Sequence, residues 1–293
     1  MESIKQEIPT AQTADNCQVS GISVVVLTSR GPRHSYFCWE LSKHFDLKGI
    51  VLDDRYHISD RLTTFLKLNH FNPFKMIRAF WLKVRIKPYE ERDRSIENRF
   101  FVRGETQPEF PPAVSLWSTP DPNSPATVDR IRALNPDVIA VFGTRMILNP
   151  VLSLAHLGAL NIHTGLSPYY RGGQCTFWCL ERGDLEHLGV TIHHLTERID
   201  GGDIVYTAQP DLDPEDTVRT IECKLIFLGT QKMIEAIHAL AEDKAPRIKQ
   251  HEKGQLFLSK MFTLRARLAF EKKMERGWLR QLIKGRTREA IKP

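Results

Sequence analysis

Asn161 and His163 lie two residues apart at the end of a short apolar run, Gly158-Ala159-Leu160-Asn161-Ile162-His163. Asp200 comes just before Gly201-Gly202, after a strand-like Gly189-Val190-Thr191-Ile192-His193-His194-Leu195. On an extended strand, residues i and i+2 point to one face. An amide and an imidazole therefore project together, and a carboxylate joins them only through a long-range fold contact. This trio suits transfer of an acyl group to an amine. The amide and an imidazolium can hold a developing oxyanion, and the imidazole and carboxylate can move protons. Each residue also has an ordinary reading: Asn in a loop and Asp-Gly-Gly as turn formers, His at a strand end as a structural histidine.

The segment resembles the formyltransferases that use 10-formyltetrahydrofolate, a family that includes the glycinamide ribonucleotide, methionyl-tRNA and amino-sugar formyltransferases. Its signature is Asn-x-His, a Leu-x-Pro-x-Tyr/Phe-Arg/Lys-Gly run, a Gly-Val/Cys-Thr strand and an Asp-Gly/Thr-Gly turn. Here these are Asn161-Ile162-His163, Leu166-Ser167-Pro168-Tyr169-Tyr170-Arg171-Gly172, Gly189-Val190-Thr191 and Asp200-Gly201-Gly202. The likeness is clear from about Asn135 to Pro210, weaker from Ile22 to Asp54 and thin elsewhere.

The resemblance implies that Asn161, His163 and Asp200 are catalytic and that 10-formyltetrahydrofolate is the cofactor. It implies a folate site at the loop Phe142-Gly143-Thr144-Arg145-Met146-Ile147, with Glu197 from the segment that carries Asp200. There the pterin meets backbone groups in an apolar slot, so backbone placement matters more than side-chain identity. The ordinary alternative is a plain strand–helix connection. His193, seven residues before Asp200, is a supporting candidate or a structural histidine, and His194 should point to the opposite face. The chemistry needs no metal.

The elements that must position these residues read as an α/β fold. The run Ile22–Leu27 is a buried strand, His34–Phe45 is helical, and Leu47–Leu52 is a second strand. The loop between them, Thr28-Ser29-Arg30-Gly31-Pro32-Arg33, is neither a dinucleotide fingerprint nor a P-loop. Its arginines either meet an anion near a helix N-terminus or are solvated. Asp60–Phe101 is basic and aromatic, and its periodicity predicts two helices broken near Pro73 and Pro88. Such helices can face RNA or a membrane surface, and more often cap a sheet. A short strand is expected at Ala113–Leu116, a helix at Thr127–Leu134 and a buried strand at Asp137–Phe142. Ligands of open α/β sheets bind beyond the carboxyl ends of the strands, where the loop after Phe142 lies. Gly173–Glu181 reads as a helix, Val190–Leu195 and Ile204–Ala208 as strands, Asp216–Leu240 as a long helix and Gly254–Leu258 as a final strand or hairpin.

The expected fold class is thus a formyltransferase-like doubly wound α/β sheet with a mostly helical C-terminal extension. The expected division is a disordered leader over 1–20, a catalytic domain over 21–210, and a helical extension with a basic tail over 211–293. At 293 residues, with 41% hydrophobic and 26% charged, the chain can bury a good core. No apolar stretch approaches the roughly 20 residues of a membrane span. Five cysteines without a Cys-x-x-Cys argue against a disulfide framework or structural zinc. A reducing, cytoplasmic setting is expected. The net charge of +6 sits in the tail, since Arg265–Lys292 holds ten Lys or Arg against three Glu.

The acceptor expected is a primary amine on a small molecule, an amino sugar attached to a nucleotide, because no barrel signal of the methionyl-tRNA type follows the motif region. The alternative is methionyl-tRNA formylation, which would make nucleic acid a partner. Behind these stand hydrolysis of the folate to formate and a catalytically idle binding protein. The sequence leaves the oligomeric state open. On this reading the tail is a solvated or partner-binding helix and is dispensable for chemistry.

Overall fold

The computed structural model describes residues 20–54, 73–102, 109–251 and 254–290. Residues 1–19 of the leader expected over 1–20, part of the basic aromatic segment and the start of the proline-rich loop lie outside these residues. Among the described residues, seven strands form one sheet in the order β3-β2-β1-β4-β5-β7-β8. They are β1 (Ser20–Thr28), β2 (Phe45–Asp53), β3 (Ser115–Thr119), β4 (Val138–Phe142), β5 (Gly158–His163), β7 (Val190–His194) and β8 (Ile204–Ala208). β3 to β5 along that order run parallel, and β7 and β8 are antiparallel additions at one edge. The expected α/β class holds. The parallel strands are near-continuous apolar runs because both faces are covered: Val24 to Leu27 are fully buried, and every residue of β4 is buried.

The helices divide between the two faces. On one face lie α1 (Pro32–His44), α2 (Pro73–Phe101) and α6 (Val218–Ala241), packed over Val24, Ala140, Leu160 and Ile162. On the other lie α3 (Pro125–Leu134) and the short α4 (Asn149–Leu152), over Val25, Ile139, Val141 and Ala159. Helix α5 (Cys175–Arg182) follows a short strand, β6 (Tyr170–Gly172). Thr217 caps α6: its hydroxyl accepts from the Thr220 amide at 3.1 Å, and Thr220 Oγ1 accepts from the Thr217 amide at 2.8 Å.

Three local expectations change. The predicted strand at 113–116 is instead Ser115–Thr119. The expected break at Pro88 is absent, and α2 runs through it. A mid-helix proline removes one backbone hydrogen bond, but tertiary contacts hold the turns that follow. Tyr89 Oη donates to Glu275 at 2.9 Å, Arg92 pairs with Glu271 at 2.9 Å, and Arg267 donates to Asp93 at 2.8 Å. Those partners lie on α7 (Leu264–Glu275), which precedes α8 (Trp278–Ala290).

The third change concerns the tail. The helical C-terminal region is present and is packed against the sheet domain, not solvated beside it. Leu268, Phe270 and Leu279 are buried. Phe270 meets Phe177 edge-on at 5.0 Å, and Trp278 Nε1 donates to the Leu180 carbonyl at 2.8 Å. Before these helices, β9 (Gln255–Phe257) pairs in parallel with β6. Gly172 is pressed so closely on the Phe257 carbonyl that a Cβ would come within 2.2 Å of it.

Candidate active site

The register of β5 against β7 builds the site. Asn161 lies opposite His193, and His163 opposite Thr191. Opposed residues of an antiparallel pair share a face, so two imidazoles, one amide and one hydroxyl stand together near the carboxyl end of β5. Thr191 fixes the turn that follows: its Oγ1 donates to the Gly165 carbonyl at 2.7 Å and accepts from the Ser167 amide at 3.0 Å.

Asp200 reaches this group by the long-range contact the sequence required. Its Oδ2 is 3.5 Å from His163 Nδ1 and its Oδ1 is 3.5 Å from His193 Nε2. The Gly172 amide donates to Oδ2 at 2.7 Å. Asp200 itself adopts a left-handed backbone, φ 45°. A Cβ on Gly202 would lie 1.8 Å from the His194 carbonyl oxygen, so only glycine lets the turn close on β7. Gln250 Nε2 donates to the carbonyls of Asp200, at 3.0 Å, and Gly202, at 2.6 Å. Burial alone would raise the Asp200 pKa, but His163 and the Gly172 N–H outweigh it and hold the carboxyl well below the usual range.

Both nitrogens of His163 are engaged. Nε2–H donates to the Tyr170 carbonyl at 2.8 Å while Nδ1 faces Asp200. Donation from Nε2 to a substrate oxygen therefore requires the ring to leave that carbonyl. His193 Nδ1–H donates to the His194 carbonyl at 2.9 Å, which leaves Nε2 to accept from Asn161 Nδ2 at 3.1 Å. A carboxamide has two N–H bonds, so Asn161, only partly buried, keeps one for another acceptor. His194, on the opposite face as expected, is buried, and burial lowers its pKa to about 4.

The loop after β4 lies beside these residues, since Phe142 pairs with Ile162. Gly143 takes a positive φ of 72°, and a Cβ there would meet the His34 ring at 2.7 Å. His34 is buried against Phe142, its Nδ1 is 2.8 Å from Thr28 Oγ1, and burial pushes its pKa down to about 3. Arg145 turns back to Asp53: its amide donates to Oδ2 and its Nη2 to Oδ1, each at 2.8 Å. Asn123 clasps the next turn, donating to the Met146 carbonyl at 3.0 Å and accepting from the Leu148 amide at 2.8 Å. Thr144 Oγ1 donates to the Arg145 carbonyl. Ile147 is buried in the core beneath, and Met146 is 49% exposed. Glu197 accepts from the Asn149 amide at 3.0 Å, joining the Asp200 segment to this loop.

All ten candidate residues thus fall at or beside one end of the sheet. Asp53, Asn123 and Gln250 were missed. The Asp-Pro-Asn turn hinted at Asn123, and nothing in the sequence marked the other two. Arg30 pairs with Glu109 at 3.4 Å and Arg33 with Glu97 at 3.3 Å, so these arginines are neutralised within the protein.

Residues 97–237, the stretch that holds Asn161, His163, His193, Asp200 and the loop after β4, match the family described as formyl transferase. Within that stretch the chain is similar to the formyl transferases. Over 124 residues it is 39% identical to a methionyl-tRNA formyltransferase of Desulforamulus reducens, covering 42% of this chain and 39% of that one. Over 130 residues it is 34% identical to the methionyl-tRNA formyltransferase of Akkermansia muciniphila, covering 44% and 41%. The matches span about two fifths of the length of these relatives. In fold, the chain is similar to a 4-N formyltransferase from Francisella tularensis, with a TM-score of 0.51 at 15% identity over 82% of this chain and 77% of that one. It is also similar to glycinamide ribonucleotide transformylase 1 from Symbiobacterium toebii, with a TM-score of 0.50 at 20% identity over 78% and 94%.

Proposed function

We propose that this chain transfers a formyl group from 10-formyltetrahydrofolate to a primary amine, and that the acceptor is an amino sugar carried on a nucleotide. The observation that carries the reading is the convergence of Asn161, His163 and Asp200 beside the Gly143–Ile147 loop. When bound, the folate supplies a formyl carbon open to attack by a neutral amine. The loop suits it: Arg145 is withdrawn to Asp53, and the exposed Met146 thioether offers an apolar wall beside backbone groups. Thus Phe142, Gly143, Thr144, Arg145, Met146, Ile147 and Glu197 act by shaping this loop.

Asn161 holds the formyl oxygen through its second N–H, and His193 orients that amide. His163 exchanges the Tyr170 carbonyl for the same oxygen as charge develops. Asp200 orients His163 through Nδ1 and helps move the amine proton through water to N10 of the folate, whose bond to the formyl carbon breaks as tetrahydrofolate leaves. Oxyanion donors of this kind are worth roughly 10²- to 10³-fold in rate.

The helical C-terminal packing of α7 and α8 supports a small acceptor, since it fills the region after the sheet with helices. A second reading, formylation of aminoacyl-tRNA, is supported by the 39% identity to a protein of that name. The test is a panel of primary amines, among them nucleotide-linked amino sugars and charged initiator tRNA, incubated with 10-formyltetrahydrofolate and read by mass spectrometry. A formylated amino sugar bears out the first reading. Formylation of the tRNA alone replaces it with the second, and no formylated product from any amine rejects both.

A further inference from the structure

The amino-terminal half of α2 leaves an apolar stripe uncovered. Phe74 is 82% exposed, Ile77 56%, Phe80 and Trp81 59% each, and Val84 44%. At about 100° per residue these five fall within an arc of roughly 120°. The opposite side of the same turns faces the protein: Ala79 and Leu82 are partly covered and Ile86 is 1% exposed. The stripe is therefore not the face by which the helix packs.

Its borders are basic. Arg78 and Arg85 project along one side and Lys83 and Lys87 along the other, all exposed. From Pro73 to Lys87 there are five Lys or Arg and no acidic residue. The first Glu of the helix is Glu90, past Pro88, and Lys87 reaches forward to Glu91 at 3.6 Å. Exposed aromatic and aliphatic side chains between two rows of cations form the pattern of a helix lying in a lipid interface. The rings and branched chains enter the acyl boundary, and the cations remain at the headgroup level.

We propose that the Pro73–Lys87 half of α2 docks the protein on an anionic lipid surface. Charge complementarity selects this occupant. A second copy of the chain would bring one cationic stripe against another. An RNA backbone would use the cations but leave Ile77 and Val84 without a partner. The attachment is rigid, because Ile86 is buried and, in the other half of the helix, Arg92 and Asp93 pair with Glu271 and Arg267 of α7. Docking of the helix therefore holds the whole domain at the surface. No helix among the described residues is long and apolar enough to cross a membrane, so the contact is peripheral. This inference stands apart from the formyl-transfer reading.

The experiment is co-sedimentation of the full chain with vesicles of phosphatidylcholine alone or mixed with phosphatidylglycerol, alongside the emission of Trp81, isolated by difference from Trp81→Phe. The expected result is at least tenfold tighter binding to the anionic vesicles, with a blue shift of Trp81. Lys83→Glu with Arg85→Glu should weaken binding tenfold or more. Phe80→Ser with Trp81→Ser should remove the apolar insertion. All four side chains are exposed and none belongs to the group around Asn161, His163 and Asp200, so unchanged thermal unfolding and unchanged turnover on a soluble acceptor control for damage. Equal binding to both vesicles, or none, overturns the proposal. So does a dimer that Trp81→Ser dissociates, an RNA complex that survives loss of the stripe, or a Trp81 shielded from aqueous quencher in lipid-free protein.

Discussion

Arg145 folds back onto Asp53, joining the ends of two strands, β4 and β2, that are separated in the sheet by β1. Asp53 is buried, and it receives both the Arg145 amide and its guanidinium. Removing the carboxylate leaves a half-buried guanidinium and a backbone N–H without their partner. Such a loss costs about 1–3 kcal/mol and more for a charged group. Asp53→Ala should therefore loosen the Gly143–Ile147 loop and weaken folate binding tenfold or more, with a smaller effect on turnover at saturation. Calorimetry and steady-state kinetics on the variant check this. Wild-type folate affinity would detach the loop from the folate site.

Asp200 stands between two imidazoles, and it is the group most exposed to single substitution. His163→Ala and Asp200→Asn should each lower turnover by roughly 10²-fold or more. Their effects should not add, because each residue acts through the other. Turnover of the double variant, compared with the two single ones, measures this. A double loss equal to the product of the single losses contradicts the coupled pair.

Acid should destabilise the fold in the window set by His34. Its pKa falls from the ordinary 6.5 to about 3 on folding because burial disfavours the charged ring. Below pH 6.5 the unfolded chain binds a proton that the folded chain refuses. Stability is therefore lost as pH falls through the unfolded value, at up to about 1.4 kcal/mol per pH unit for one such group. The loss stops near the folded value. His34→Gln should flatten the dependence between about pH 6 and 4, read by urea unfolding. A variant with the wild-type slope would mean that His34 does not titrate in this way.

The packing of α7 and α8 reverses an expectation about the tail. Truncation after Phe262 removes Leu268, Phe270 and Leu279, each buried. Full burial of one such side chain is worth roughly 1.5–3 kcal/mol, against total stabilities of about 5–15 kcal/mol. The truncated chain should lose cooperative unfolding or melt well below the full chain, by calorimetry. Unchanged melting would restore the view of a solvated tail.

What was legible in the sequence was what local pattern encodes. The apolar runs of β1 and β4 and the Asn161–His163 spacing gave strand, face and motif directly. The opposition of His193 to Asn161 depends on register, which no local pattern states. Asp53 sits at an ordinary strand end, and its partner lies far along the chain on a strand it does not touch. β6 and β9 are three residues each and exist only through their mutual pairing. Pro88 reads as a breaker because the contacts that overrule it come from α7. The few apolar residues that bury α7 and α8 are hidden among ten Lys and Arg.

The central claim is that the loop after β4 and the Asp200 segment hold a reduced folate against Asn161 and His163. Calorimetric titration of the full chain with 5-formyltetrahydrofolate, with His163→Ala in parallel, tests it most directly. The account predicts saturable heat for both proteins and, at about 100 times the dissociation constant, a stabilisation of roughly 2.7 kcal/mol. Absence of heat and of any thermal shift at millimolar ligand, in protein that is folded, would contradict it.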